Sequence, residues 1–397
     1  MRLLFVVQRY GHEVAGGAER HCREFATRLA ERGHEPLVAT TCAAGYRDWA
    51  DEYPAGESVV DGVPVLRFPV ARRRDVERFA TLDARVVGSD RTVPRHLERA
   101  WMEAQGPRVP ELVDWLRDRA RGFDVVVFFT YLYFTAWAGL RAVAGVVPTV
   151  LHPTAHDEAP LRLSIFDTLF RLPTALALST PEEQALVTRR FGPPRLSSVV
   201  GVGVEAPRGG DVAAFRERFG LGDRPYLLFV GRLDPGKGTV ELVEFFEAYK
   251  RRRPGPLALV LLGDPVAPVS PGPDVVVTGF VDEATKVSAL EGCLALAQPS
   301  YFESFSMVLT EAWAASRPAL VQGRCEVLAG QARRSGGAIP YRGYAQFEAA
   351  LDAVTGDAGL ADRLGAAGRR YVEREYAWPV VLDRYEELLE AARTAGA

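Results

Sequence analysis

Two short stretches in the second half of the chain place side chains that could do chemistry. The first, Gly231-Arg232-Leu233-Asp234-Pro235-Gly236-Lys237-Gly238, follows the apolar run Tyr226 to Val230. It sets two cations, Arg232 and Lys237, on a glycine-rich turn between an expected strand and an expected helix. Backbone N–H groups at such a junction point at whatever sits there and favour negative charge. The second, Glu303-Ser304-Phe305-Ser306-Met307-Val308-Leu309-Thr310-Glu311, sets one carboxylate before an expected helix and another inside its first turns. Ser304 reads as the N-cap, the helix starting near Phe305 with Met307, Leu309, Ala312 and Trp313 packing inward. Eight residues of full helix would separate the carboxylates by about 12 Å, the reach from a donor sugar to a nucleoside ribose.

Cations meet phosphate and carboxylates accept from vicinal hydroxyls, so the four side chains together complement a sugar nucleotide. Alone, the first stretch reads equally well as a surface turn and the second as a solvated helix face. The argument rests on their combination, because helices that follow parallel strands of one sheet point their N-termini the same way. A diphosphate becomes more negative as its bond to the sugar breaks, so cations there stabilise the transition state more than the ground state. The chain contains no Asp-x-Asp pair to hold Mg²⁺. Arg232, Lys237 and the helix ends are therefore expected to carry that charge with no metal and no cofactor, the sugar nucleotide itself being the co-substrate. Lys237, Lys250 and Lys286 are the only lysines among many arginines; an ammonium meets phosphate as a compact point charge, unlike a guanidinium.

The elements that must position these residues repeat a short apolar run, a turn and a helix-period segment. Leu3–Val7 leads through Gly16-Gly17 into a helix over Ala18–Arg32, with Cys22, Phe25, Ala26 and Leu29 on one face and Gly33 at its end. Further runs are Pro36–Thr41, Val125–Phe129, Thr149–Leu151, Ala175–Leu178 and Ser198–Gly201. In the second half they are Tyr226–Val230, Leu257–Leu262, Val275–Val277, Leu294–Ala297 and Ala319–Gln322. Non-alternating apolar runs suit parallel strands covered on both faces. The expected fold is α/β, with two Rossmann-like doubly wound domains facing across a cleft. The glycines and proline of Gly201 to Pro207 suggest bounds of 1–202 for an acceptor-side domain and 203–376 for a nucleotide-sugar-binding one. Residues 377–397 would form a helix crossing back to the first, after Trp378-Pro379 interrupts helical sequence. The segment Arg47–Gly122 is less regular, a solvated insertion or an acceptor-side region.

Length and composition agree with two soluble domains: 397 residues, 48% hydrophobic, 25% charged, net charge −3. No basic excess points to nucleic acid. The opening residues are too short for a signal-peptide core, and no run approaches the ~20 apolar residues of a membrane span. Cys22, Cys42, Cys293 and Cys325 have no metal-binding spacing and read as core thiols of a cytoplasmic protein.

The chain resembles glycosyltransferase family 4, retaining enzymes of the GT-B fold. Gly231-Arg232 through Lys237-Gly238 is similar to that family's phosphate loop, and Glu303 to Glu311 to its Glu-x7-Glu signature. Gly16-Gly17-Ala18-Glu19-Arg20 resembles its N-terminal loop beside the donor, His34 its Arg-Gly-His-Glu ending of the first helix, His156-Asp157 its His-Asp pair, and Thr278-Gly279-Phe280-Val281 its strand end beside the nucleobase. The matches run in order from Leu3 to about Trp378. The resemblance implies that Arg232 and Lys237 bind the diphosphate, Glu303 the donor-sugar hydroxyls and Glu311 the ribose. His156 would touch the donor sugar near the reacting carbon. Backbone groups around Ser304, Phe305 and Ser306 would meet the sugar and phosphate, those of Phe280 and Val281 the base, and Gly16 and Gly17 the donor. Two departures stand out: Ser306 where many members carry glycine, and Gln322-Gly323-Arg324-Cys325-Glu326 in place of a glycine pair.

What the resemblance implies is retaining transfer from a UDP- or GDP-linked sugar to a small-molecule or glycan acceptor. Three other functions share these features: a nucleotide-sugar epimerase, a non-catalytic sugar-nucleotide-binding protein, and a membrane-surface transferase with a lipid acceptor, for which Arg72-Arg73-Arg74 would give weak contact with anionic head groups. His152 and His156 both follow the run ending at Leu151, and the resemblance favours His156. His12 lies where inverting enzymes of this fold place a base and reads as acceptor-side lining or loop. His21 and His96 read as ordinary helix residues.

Overall fold

The protein is described by a computed structural model covering residues 1–14, 16–88, 92–207, 209–265 and 272–396. It forms two compact units, residues 1–201 with 382–397, and residues 202–381. Strands of the first unit are β1 (Arg2–Val6), β2 (Glu35–Thr41), β3 (Gly56–Val60), β4 (Val63–Phe68), β5 (Val125–Phe129), β6 (Thr149–His152), β7 (Ala175–Leu178) and β8 (Ser197–Val199). They lie in the order β3-β4-β2-β1-β5-β6-β7-β8, parallel except for β3, which pairs antiparallel with β4. All five residues of β5 are buried, which is why the run is uninterruptedly apolar.

The helix Gly17–Glu31 buries Cys22, Phe25, Ala26 and Leu29, and the chain turns away at Gly33 with φ of 85°. Its His21 does more than occupy a helix. It enters an aromatic cluster with Phe25, Phe129, His152 and Tyr385 of the helix Trp378–Ala395. His152, the last residue of β6, stacks on Phe129 with centroids 4.2 Å apart. Among the described residues neither histidine's Nε2 has a hydrogen-bond partner. Burial therefore holds His21 down to about 3 and His152 well below its ordinary range.

Strands of the second unit are β9 (Tyr226–Val230), β10 (Ala258–Leu262), β11 (Val275–Gly279), β12 (Ala295–Gln298), β13 (Ala319–Gln322) and β14 (Ala338–Tyr341). All pair in parallel, in the order β11-β10-β9-β12-β13-β14. Strand order therefore reverses between β9 and β12, and the crevice beyond their carboxyl ends is where open α/β sheets bind ligands. Leu227, Phe229, Leu259, Leu261, Leu320 and Phe347 are among the residues that form this unit's core.

Several local expectations need correction. The segment 47–122 is not irregular: it holds β3, β4 and the helices Val76–Val86, Arg95–Gln105 and Pro110–Arg119. Arg74 is no solvated charge, because its guanidinium donates to the carbonyls of Tyr46, Ala104 and Gln105 and lies over Phe79 at 4.4 Å. Helical sequence is interrupted at Tyr376 and Ala377, between the helices Ala358–Glu375 and Trp378–Ala395, and Trp378-Pro379 itself opens the second, since proline tolerates the first turn. The expected run Ser198–Gly201 ends as a strand at Val199, and Gly201 has φ of 78°. All four cysteines are buried free thiols. Among the described residues no helix is long and apolar enough to cross a membrane.

Candidate active site

The chain leaves β9 at Gly231, with φ of 146°, whose carbonyl oxygen would lie 2.0 Å from a Cβ at Gly263. Only glycine at 263 lets these strand ends approach so closely. Leu233 N donates to Asp264 O at 3.0 Å, which ties the turn to the end of β10. Asp234 takes the Gly236 N–H on its carboxylate at 2.8 Å. A 3-10 turn over Pro235–Lys237 then leads to Gly238 in the left-handed region, φ 73°, and to the helix Thr239–Arg252. A Cβ on Gly238 would sit 2.5 Å from the carbonyl oxygen of Pro299, just past β12. Glycine here lets the turn after β9 lie against the segment after β12.

That approach joins two predicted side chains. Lys237 Nζ lies 2.7 Å from Glu303 Oε1. The glutamate is 12% exposed and the lysine 36%. Arg232, on the same turn, is exposed. A cation and a carboxylate thus stand side by side at the reversal of strand order, able to meet a phosphate and a sugar hydroxyl respectively.

The helix that follows begins later than expected. It spans Met307–Ala314, so Glu303 sits on the preceding loop and Glu311 within the helix, and the full-helix spacing of about 12 Å does not apply. Ser304 is not its cap. Ser306 holds that position with φ of 72° and ψ of 80°, a left-handed conformation that favours glycine. Its hydroxyl accepts from Gln298 Nε2 at 2.7 Å instead of capping the helix. Phe305 is buried, its ring edge-on to Tyr376 at 4.9 Å and its carbonyl accepting from Gln331 Nε2. Of the four expected inward residues, Leu309, Ala312 and Trp313 are buried and Met307 is half-buried. At the replaced glycine pair, Gly323 N donates to Tyr341 O at 2.6 Å, and burial pushes the Cys325 thiol up to about 11.

Glu311 Oε1 and Oε2 accept from Lys286 Nζ at 3.0 and 3.1 Å. Sequence reasoning assigned Lys286 no role; its one signal was the rarity of lysine, already used for Lys237. On the far side of β9, the chain turns at Gly279 with φ of 71°, and Phe280 N donates to Asp264 Oδ1 at 3.0 Å. The Phe280 ring is 71% exposed and Val281 is buried.

The remaining predicted residues belong to the first unit. Gly16 is the N-cap of Gly17–Glu31, where a Cβ would lie 2.1 Å from Glu19 Oε2; Gly17 has open space around it. Glu19 is buried and accepts from Gln8 Nε2 at 2.8 Å and from Arg9 Nε and Nη2 at 2.9 and 2.6 Å. His156 is half-buried, its Nδ1 3.5 Å from Glu158 Oε1, and that oxygen accepts a hydrogen bond from Tyr131 Oη at 2.6 Å. A residue unforeseen from sequence supports this loop. Glu183 is fully buried near the start of Pro181–Phe191 and accepts from the backbone N–H groups of Ala155 and Ser179, both at 2.6 Å. Burial pushes its carboxyl up to about 7 against those two bonds. His12 Nε2 lies 3.4 Å from Asp61 Oδ1 on the surface.

The family described as Glycosyl transferases group 1 matches residues 211–371, and that described as Glycosyl transferase 4-like domain matches residues 16–203. Among similar curated proteins, the glycogen synthase of Mycobacterium tuberculosis is 25% identical over 428 aligned positions, covering 99% of this chain and 95% of its own. The D-inositol 3-phosphate glycosyltransferase of Nocardia farcinica is 29% identical, covering 90% of this chain and 80% of its own. Among solved structures, HepE of Anabaena in complex with UDP and glucose superposes with a TM-score of 0.73 at 15% identity, covering 98% of this chain and 100% of that one.

Proposed function

We propose, since this chain belongs to glycosyltransferase family 4 and has the GT-B fold, that it moves a sugar from a nucleoside diphosphate to an acceptor hydroxyl with the anomeric configuration retained. The observation that carries this reading is the 2.7 Å pairing of Lys237 with Glu303 where the strand order reverses. The diphosphate would lie on the turn, its growing charge met by Arg232 and Lys237 and by the helix N-terminus behind them. Glu303 would hold donor-sugar hydroxyls and Glu311 the ribose. His156, on the loop braced by Glu183, would touch the sugar near the reacting carbon. No covalent nucleophile is assigned. The glycosidic C–O bond to the diphosphate breaks as the acceptor oxygen bonds the same face of that carbon, and the leaving phosphate oxygen takes the acceptor's proton. In this reading side-chain cations carry the leaving charge without a metal.

The UDP complex of HepE supports a UDP-linked donor, with GDP the alternative. A glycogen synthase and an inositol phosphate glycosyltransferase among the relatives support a glycan or small polyol acceptor. One observation favours a second reading. The His12–Asp61 contact at 3.4 Å is a carboxylate-oriented imidazole on the loop after β1, a general base for inverting transfer. Proton NMR of the product from an α-linked UDP-sugar decides between them. An α-linked product is expected, with His156→Ala slowing turnover while donor still binds. A β-linked product abolished by His12→Ala would establish inversion and overturn retention.

A further inference from the structure

The helix Pro181–Phe191 opens with the first half of a capping box: Thr180, its N-cap, accepts from Glu183 N at 3.1 Å. In the usual box the glutamate at this third helical position turns back to the N-cap N–H. Glu183 instead takes the N–H of Ser179, one residue earlier, on Oε2, and reaches across to the N–H of Ala155 on Oε1. Ser179 lies just past β7 and Ala155 just past β6, which are adjacent parallel strands, so one carboxylate ties two strand ends together. The bond to Ala155 serves no helix. It holds the peptide that follows Thr154, whose φ of 51° lies in the left-handed region where a β-branched residue is strained. Strain of this kind persists only where the surroundings over-determine it, and it gathers at functional sites. The next residue along is His156. A fully buried carboxylate with no cation beside it is costly. Among the described residues Glu183 makes no ion pair, and only neutral donors of Ser179 and Ala155 act on it. A glutamine would avoid that cost, yet its NH2 would face one of the two N–H groups, whereas a carboxylate accepts on both oxygens.

We propose that Glu183 is a positioning residue for the transfer step: its carboxylate holds the peptide between Thr154 and Ala155 so that the His156 side chain stands beside the reacting carbon of the donor sugar. The inference rests on the reading of His156 given above. Two measurements on the full chain test it, each variant first checked for native circular dichroism and melting. In the first, UDP-glucose or GDP-glucose, whichever binds tighter by calorimetry, is titrated while NMR follows the ring protons of His156, assigned by their loss in His156→Ala. Donor should shift these signals in wild type. Glu183→Gln and Glu183→Ala should bind donor with nearly unchanged affinity and lose most of the shift. In the second, kcat is read as nucleoside diphosphate release with a maltooligosaccharide or myo-inositol as acceptor. Glu183→Gln should lower it by up to about 10²-fold, the cost of misplacing a reacting group by about 1 Å, with donor KM unchanged. It should lower it little further in His156→Ala, because both changes remove one function. Glu183→Asp, which keeps the charge, should recover part of the loss. If donor shifts the His156 ring equally in wild type and the folded Glu183 variants, or the two losses in kcat multiply, Glu183 only braces the fold and the inference is overturned. If donor leaves the wild-type His156 ring unmoved, or His156→Ala keeps full kcat, the reading of His156 falls first and the inference with it.

Discussion

Lowering the pH from 7 to 5 is expected to destabilise the first unit by about 2 kcal/mol, through three buried groups of opposite sign. His21 and His152 are enclosed by Phe25, Phe129 and Tyr385, and both stay neutral in the folded chain at pH 5. In the unfolded chain each binds a proton near its ordinary 6.5. Stability tied to these depressed values is fully present above 6.5 and lost as the pH falls below it. At pH 5 the loss is about 2 kcal/mol for each histidine. Glu183 works the other way, because burial lifts its carboxyl from 4.5 to about 7. Its contribution is fully present below 4.5 and lost as the pH rises through 7, so acidification from 7 to 5 restores about 2 kcal/mol. Two losses against one gain leave the net figure. Urea unfolding at both pH values, followed by circular dichroism, measures it. His152→Phe keeps an aromatic ring against Phe129 and removes one titration, so the variant should change by less than about 1 kcal/mol over the same interval. A folded His152→Phe that weakens between pH 7 and 5 as much as wild type would refute the argument.

Arg232→Ala and Lys237→Ala should each lower turnover by about 10²–10³, the usual cost of removing one donor from a developing oxyanion, with little change in melting temperature; unchanged kcat in either folded variant would remove that residue from the site. Transfer should survive EDTA, because the sequence offers two side-chain cations and no Asp-x-Asp pair; activity lost on chelation and restored by Mg²⁺ or Mn²⁺ would reveal a metal requirement. Gly238→Ala should cost at least about 1–2 kcal/mol, since φ is 73° and the new Cβ would press on Pro299 O. Its donor KM should rise through displacement of Lys237, and a wild-type melting temperature with wild-type KM would show the turn to be tolerant.

Much of the fold was legible because parallel strands covered on both faces are continuous apolar runs: Val125–Phe129, Tyr226–Val230 and Ala319–Gln322 match β5, β9 and β13 residue for residue. Of the three strands that escaped notice, β4 lies inside its sheet between β3 and β2, where Pro64 and Arg67 interrupt the apolar run, and the other two lie at sheet edges. β3 carries the exposed residues Glu57, Ser58 and Val59, and β14 contains Pro340, which an edge tolerates and a central strand does not. Site residues were legible as types near strand ends, whereas their partners were tertiary facts. Nothing local in the sequence says that Lys237 meets Glu303, that Lys286 meets Glu311, or that Glu183 braces the backbone before His156. The helix start moved to Met307 because Gln298, eight residues earlier, holds the Ser306 hydroxyl and the left-handed turn there.

The first unit is discontinuous, and that bears on how the chain is made. Residues 1–201 leave the ribosome long before residues 382–397, with the whole of 202–381 translated between them. At about 5–20 residues per second that interval lasts on the order of ten to forty seconds. Throughout it, Phe25 and His152 lack Tyr385, whose ring settles 4.4 and 5.1 Å from theirs, and Arg32 and His34 lack Glu386. The nascent first unit therefore carries an open aromatic patch for far longer than a domain of its size needs to collapse. A trigger-type chaperone or a neighbouring nascent chain would meet that patch first, and premature termination anywhere before Tyr385 would leave it permanently exposed.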